Sequence, residues 1–145
     1  GYQAPVVSQS SYNLLDRALE AELLPFCRAH GLGIVPYSPL AGGLLTGKYR
    51  KGAEAPKGAR LAYSSHHSSD FINERNWTLV EKLGAVAARS GQSMLELAFG
   101  WLLAKPVIGS VIAGATRPEQ IEQNVAAVAK RPSPAIIAEI DAITA

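Results

Sequence analysis

Tyr37, Ser38, Gly42, Gly43 and Lys48 are the residues whose types and spacing most plainly offer chemistry. Ser38 brings a hydroxyl, the Gly42-Gly43 pair lets the backbone come close to a ligand, and Lys48 brings a positive charge. Together they are the parts of an anion-binding loop, and Tyr37 adds a flat apolar ring beside it. They lie in the stretch GIVPYSPLAGGLLTGKY, from Gly33 to Tyr49. Its apolar start reads as a buried strand over Gly33–Tyr37. Tyr37 then falls at the C-terminal end, where sheets of parallel strands place their ligands. A plain strand-to-loop connection uses the same Gly-Gly turn, and the residues by themselves leave both readings open. A second glycine-bearing turn, Gly114-Ala115-Thr116, comes before Arg117 and Pro118. Pro118 suits the first turn of a helix, whose free N–H groups and positive dipole end favour an anion.

Other reactive side chains read as structural. Tyr12 has no lysine or histidine near it in sequence, as a proton donor would need, and Asn13 goes with it. The pair His66-His67 invites a metal, but no third ligand stands at a sensible spacing, so a solvated loop pair is expected. His30 sits at a helix end, where partial positive charge is favourable. Cys27 lies on the apolar side of a helix and reads as a small buried hydrophobe. Trp77 and Trp101 stand at helical spacings and read as packing residues.

The elements that must position these groups follow from periodicity. Val6–Gln9 reads as a strand with Gln9 at its C-terminal end. A helix is predicted from Ala18 to Ala29, with Asp16 as its cap and Gly31 as its stop. After the strand Gly33–Tyr37, residues 50–70 lack a periodic apolar pattern. So long a stretch inside one domain predicts a lid or binding loop. A helix from Asn73 to Ser90 should bury Trp77, Val80, Leu83 or Gly84, and Ala87 or Ala88. Ser93 and Glu96 form a capping-box pattern for Met94–Ala104, with Leu95, Phe99 and Leu102 or Leu103 facing the core. Ser110–Ile112 reads as a third strand, followed by helices over Pro118–Lys130 and Pro134–Thr144. Strands separated by helices predict parallel pairing through right-handed crossovers.

Composition narrows the class. The 145 residues fit one domain, and 48% hydrophobic with 18% charged residues fits a soluble globular protein. A net charge of +2 with scattered Lys and Arg gives no case for nucleic acid or a membrane surface. One cysteine excludes an intrachain disulfide. With no pattern of a signal peptide or membrane span, a reducing cytoplasm is the expected compartment.

YSPLAGGLLTGKY, preceded by LLPFCRAHGLGIVP and followed by GATRPEQIEQN, resembles the aldo-keto reductases, NADPH-dependent oxidoreductases built as (β/α)8 barrels. The likeness covers residues 1–145 but only the C-terminal half of the family's usual length. It implies an α/β fold: a single partial domain, a partial (β/α)8 barrel made of strands six to eight with outer helices. By the resemblance, Gln9 would hold the nicotinamide carboxamide and Tyr37 would stack on the nicotinamide. Ser38, Leu40 and the backbone at Gly42 and Gly43 would wrap the pyrophosphate, and Lys48 would reach a phosphate. Arg60 looks like the family's loop arginine that closes over the cofactor. Gly114, Ala115 and Thr116 would meet the 2′-phosphoadenosine end, and Gln120, Gln123 and Asn124 would line the adenine. Without the resemblance, Lys48 and Arg60 would read as surface charges.

The chain also departs from the family. A carboxylate is common where Gln123 stands. The family's catalytic Tyr, Lys, His and Asp lie on the first four strands and their loops. That half is expected to be absent here, together with the Ser-Asn pair after the fifth strand. No catalytic or metal-binding residue is therefore assigned. The implied activity is NADPH-dependent reduction of an aldehyde or ketone, with this chain supplying the cofactor-binding part and a small carbonyl compound as substrate of the complete enzyme. The alternative is a non-catalytic truncated or split chain that binds a nucleotide or a complementary half. A complementary N-terminal half, or self-association through open strand edges, is the expected partner.

Overall fold

The computed structural model describes residues 3–63 and 71–145. Two short strands, β1 (Val7–Ser8) and β2 (Gly33–Ile34), pair in parallel, Val7 opposite Gly33 and Ser8 opposite Ile34. Hydrogen bonds carry the pairing further than the strands themselves. Gly33 N donates to Val6 O, Val35 N to Ser8 O and Tyr37 N to Ser10 O, at 2.9–3.1 Å. The opposite edge of β2 meets a third parallel segment at a bridge between Ile34 and Ile108.

The third strand expected at Ser110–Ile112 is not formed, and Pro36 supplies the reason. Along β2 the N–H groups of residues 33, 35 and 37 face β1, so 34 and 36 face the third segment. Ile34 N donates to Val107 O at 2.7 Å, but Pro36 has no N–H to give. The ladder lapses there, and Ile112 N returns to Pro36 O at 2.9 Å. Pairing therefore centres on Ile108, short of the predicted strand. The order of segments and their parallel sense match expectation.

The helix predicted over Ala18–Ala29 is two pieces, a 3-10 turn at Ala18–Glu20 and α1 (Leu23–Ala29). Pro25 cannot donate to the carbonyl four residues back, so one helix cannot run through. Asp16 is not a good cap either. Its carboxylate accepts from Ser11 Oγ at 2.8 Å, and the Ala18 N–H stands 3.5 Å away. α1 packs on β2 and buries Cys27.

Of the stretch 50–70, the described part, residues 50–63, is less bare than its composition implies. A single helical turn, α2 (Arg60–Tyr63), packs on a 3-10 segment at Ala41–Thr46, and Ala59 and Leu61 are buried. Two small apolar contacts suffice to pin a loop without producing a periodic pattern. His66-His67 lies outside the described residues.

α3 (Glu74–Ser90) starts at Asn73, whose side chain accepts from Asn76 N at 2.8 Å. Its buried face is Asn76, Leu79, Val80, Leu83, Val86 and Ala87. That stripe is rotated from the expected one, and Trp77 is only half-buried at its border. Asn76 takes the interior place because its amide donates to Phe71 O at 3.0 Å. α4 (Met94–Leu103) has both bonds of its capping box: Glu96 N to Ser93 Oγ at 3.2 Å, and Ser93 N to Glu96 Oε2 at 2.7 Å. It is buried on nearly every side, because α3, α5 (Pro118–Ala129) and the 3-10 segment all pack on it. α6 (Pro134–Thr144) has the predicted bounds and packs on α3.

The core centres on Trp101, Tyr12, Ile34, Leu83, Leu97, Leu102 and Ile140, all fully buried. Trp101 lies in a ring of polar groups. The Tyr12 ring is 5.0 Å away, and Arg17 and Lys105 stand over the indole at 5.2 and 4.6 Å. The indole N–H donates to Asp141 Oδ1 at 2.8 Å.

Candidate functional site

The loop after β2 is where the structure gathers predicted site residues. The chain leaves β2 through Pro36 and Tyr37, and Tyr37 is 44% exposed, an aromatic side chain within reach of solvent and of a planar ligand. Ser38 follows with φ 55° and Ala41 with φ 47°. A left-handed backbone is rare for residues with a side chain and persists only when its surroundings enforce it, often at a functional loop. Gly42 (φ 66°) and Gly43 (φ 101°) extend the same run. Four left-handed residues among six fold the chain back on itself, and within the turn Ala41 N donates to Ser38 O at 3.0 Å and Gly43 N to Leu40 O at 2.8 Å. Among the described residues, the backbone N–H groups of Ser38 and Leu40 have no acceptor.

Lys48 lies over this turn. A Cβ added to Gly43 would stand 3.1 Å from Lys48 Nζ and 3.3 Å from the Tyr49 ring, so a side chain there would displace the lysine. The ammonium is 5.1 Å from the centre of the Tyr49 ring. A Cβ on Gly42 would meet Leu61 at 3.0 Å. Leu61 N donates to the Tyr49 hydroxyl at 3.3 Å, which ties the start of α2 to the same loop. Arg60 is exposed beside it at the first position of α2. Small backbone, free amides, a hydroxyl and one or two cations are a donor set that suits a phosphate.

One residue of the loop's architecture was not assigned to the site from sequence. Asn13, fully buried, donates from Nδ2 to Ser38 O at 3.0 Å. Its Oδ1 accepts from Leu15 N at 2.9 Å and Asp16 N at 3.0 Å. No pattern in the sequence joins residues 13 and 38, and only the parallel pairing of β1 and β2 brings them together. Beside this contact, Ser11, Asp16, Tyr37, Ser38, Asn73 and Asn76 line a cleft of about 450 Å³.

The second group of predicted residues sits on the neighbouring segment. Gly114, Ala115 and Thr116 are exposed before α5, and Gln120 accepts from Thr116 N at 2.7 Å and from Thr116 Oγ1 at 3.2 Å. Part of the capacity of Thr116 and Gln120 is thus spent on each other. Gln123 is exposed and Asn124 half-buried on the next turns of the helix. The bond from Ile112 N to Pro36 O links the two groups through the backbone. No hydrogen bond or ion pair joins their side chains among the described residues. Gln9 is exposed, just past β1.

Tyr12 is removed from any solvent-facing role. It is fully buried, and its hydroxyl donates to Glu20 at 2.5 Å. Burial, reinforced by that carboxylate, pushes the phenol far above its ordinary range. No group of three or more metal-ligating side chains occurs among the described residues, and no described helix is long and apolar enough to cross a membrane.

The family model described as the Aldo/keto reductase family matches residues 1–145. A probable voltage-gated potassium channel subunit beta from Oryza sativa is 38% identical over 96% of this chain and 44% of its own length. L-glyceraldehyde 3-phosphate reductase from Escherichia coli is 37% identical over 85% of this chain and 36% of its own. Aflatoxin B1 aldehyde reductase member 2 from Rattus norvegicus is 38% identical over 94% and 41%. The solved structure of a glycerol dehydrogenase from Gluconobacter oxydans superposes with a TM-score of 0.74 at 24% identity, covering 94% of this chain and 41% of that one. That likeness gives the fold, an α/β partial barrel. The chain spans about two fifths of the length of the curated relatives it matches.

Proposed function

The chain belongs to the aldo/keto reductase family, and on that footing we propose that it supplies the cofactor-binding part of an NADPH-dependent oxidoreductase that turns an aldehyde or ketone into an alcohol. The observation that carries this reading is the loop from Tyr37 to Lys48: an exposed aromatic residue followed by a left-handed turn with free amides at Ser38 and Leu40 and an ammonium above Gly43. A reduced nicotinamide would supply hydride to the carbonyl carbon. Tyr37 would present its ring to the nicotinamide, with Gln9 at the carboxamide. Ser38, Leu40, Gly42, Gly43 and Lys48 would hold the pyrophosphate, with Arg60 closing from α2. Gly114, Ala115 and Thr116 would face the 2′-phosphate end, and Gln120, Gln123 and Asn124 the adenine.

Preference for the phosphorylated cofactor rests on the start of α5. Arg117 is exposed at its N-cap and has no ion pair among the described residues, and the helix adds its positive end. A relative from Escherichia coli is by name an NADH-specific methylglyoxal reductase, so the choice between the two cofactors must be measured here. Fluorescence titration of the 145-residue chain with NADPH and NADH tests the reading. Saturable binding, tighter for NADPH, is expected, and no saturation with either would overturn it.

A second reading is favoured by the relatives named as potassium channel beta subunits, which match this chain as well as the reductases do. In it the chain binds nucleotide without turning over a carbonyl compound. Saturable binding with no change in NADPH absorbance across a panel of aldehydes, even after a complementary barrel half is added, would favour it. The single cysteine fits a reducing cytoplasm under either reading.

A further inference from the structure

We propose that Asn13 is the positioning residue of the cofactor loop: its side chain holds the Ser38 backbone in the left-handed conformation that turns the loop's free amides toward an anion. The inference rests on the reading of Tyr37–Lys48 as the cofactor loop. Ser38 at φ 55° is the first left-handed residue of the turn, and it has a side chain, so the conformation needs outside support. That support is two hydrogen bonds on one atom. Ser38 O accepts from Asn13 Nδ2 at 3.0 Å and from Ala41 N at 3.0 Å. Both lone pairs of the carbonyl are engaged on the protein side, and the Ser38 N–H is left without a protein partner among the described residues.

Asn13 is itself fixed. It is fully buried, and Oδ1 accepts from both Leu15 N and Asp16 N. The backbone closes the same turn with a pair of 3.1 Å bonds between Asn13 and Asp16. The Nδ2 group is therefore aimed at residue 38 by the turn after β1. A single amide thus sets one loop from the other, across the parallel pair that ends at Ser11 and Tyr37. A hydroxyl at position 13 could still accept from the turn amides but is too short to reach Ser38 O.

The test is a cycle between two positions. Asn13→Ser removes the bond to Ser38 without adding charge, and Ser38→Gly removes the cost of the left-handed backbone. NADPH dissociation constants by fluorescence titration and melting by circular dichroism are read for N13S, S38G and the double substitution. N13S is expected to weaken NADPH by about tenfold in the Ser38 chain and by less than about threefold in the S38G background, with its change in melting temperature the same in both. Equal losses of affinity in both backgrounds, or none in either, would overturn the proposal. Asn13→Asp is the second variant, and loss of folding in both N13S and N13D would place Asn13 in stability alone and also overturn it. Failure of the unsubstituted chain to bind NADPH would overturn the cofactor reading first. Binding that N13S leaves untouched removes only Asn13.

Discussion

At the residue scale, Lys48 and Tyr12 show how environment separates a ligand-binding group from a packing group. Lys48 is exposed above a glycine where an added Cβ would crowd it, and among the described residues it has no ion pair, only the face of Tyr49 beneath its ammonium. Removing it should cost ground-state binding, because phosphate contacts lie far from the reacting carbon. Lys48→Ala is expected to weaken NADPH by about tenfold, the scale of one charge-assisted bond, with little change in melting. Unchanged affinity would take Lys48 out of the site. Tyr12 is the opposite case. Its hydroxyl is committed to Glu20, whose own carboxyl is held below its ordinary range: burial opposes ionisation, but bonds from Arg17 and Tyr12 outweigh it. Tyr12→Phe is expected to lower the melting temperature and leave NADPH affinity unchanged. A loss of affinity with melting preserved would show that Tyr12 reaches the ligand.

At the element scale, helices were more legible than strands. The capping box at Ser93 and Glu96 and the bounds of α6 are local signals, and both elements stand where they were predicted. The strands were placed in the right order and sense but drawn too long, because pairing depends on a partner's register and Pro36 interrupts it. The turn at Gly42-Gly43 was legible as composition. Its support by Asn13 was not, because a contact across 25 residues leaves no periodic trace. The same limit hid the knot that fixes α6. Asp141 accepts from Trp101 Nε1 at 2.8 Å and pairs with Lys105 and Arg17, each at 3.2 Å. Burial opposes its ionisation, yet the bonds from Trp101 and Lys105 bring its carboxyl below the ordinary value. A depressed carboxyl stabilises the fold above its unfolded pKa, and that contribution is lost as pH falls through its folded one. Melting temperature is therefore expected to drop as pH is lowered through and below about 4, the unperturbed carboxylate range. In Asp141→Asn this share of the drop should be smaller. Asp141→Ala should cost about 1–3 kcal/mol at neutral pH, because the fully buried indole N–H loses its acceptor. Identical acid profiles for the parent and Asp141→Asn would place the acid-sensitive step elsewhere.

At the scale of the whole molecule, the open faces decide behaviour in solution. Three parallel segments do not close a sheet, and among the described residues β1 has no partner on its other edge, beside which Val6 and Val7 are 79% and 48% exposed. Backbone groups at such an edge and the apolar side chains beside it favour pairing with another chain. On α5, Ile121, Val125 and Val128 stand at i, i+4 and i+7, and all three are exposed. This is the spacing of a helix face that packs against something. In the solved relative with the same fold, this chain covers 41% of the length, which leaves the remainder of that protein to complete the barrel. We propose two kinds of partner for these surfaces: a second copy, or a complementary segment bearing the other strands. The chain studied by sedimentation is expected to associate as its concentration rises, because the edge and the α5 stripe are present on every copy. Val125→Lys should weaken association without unfolding the chain, since position 125 lies outside the core. Val6→Lys should act in the same direction at the strand edge, where an exposed charge blocks pairing. The two substitutions together should leave monomer as the main species if these faces drive association. A single sharp monomer boundary for the unsubstituted chain at every concentration, with cooperative melting, would show that both faces are tolerated in water and that the partial barrel stands by itself.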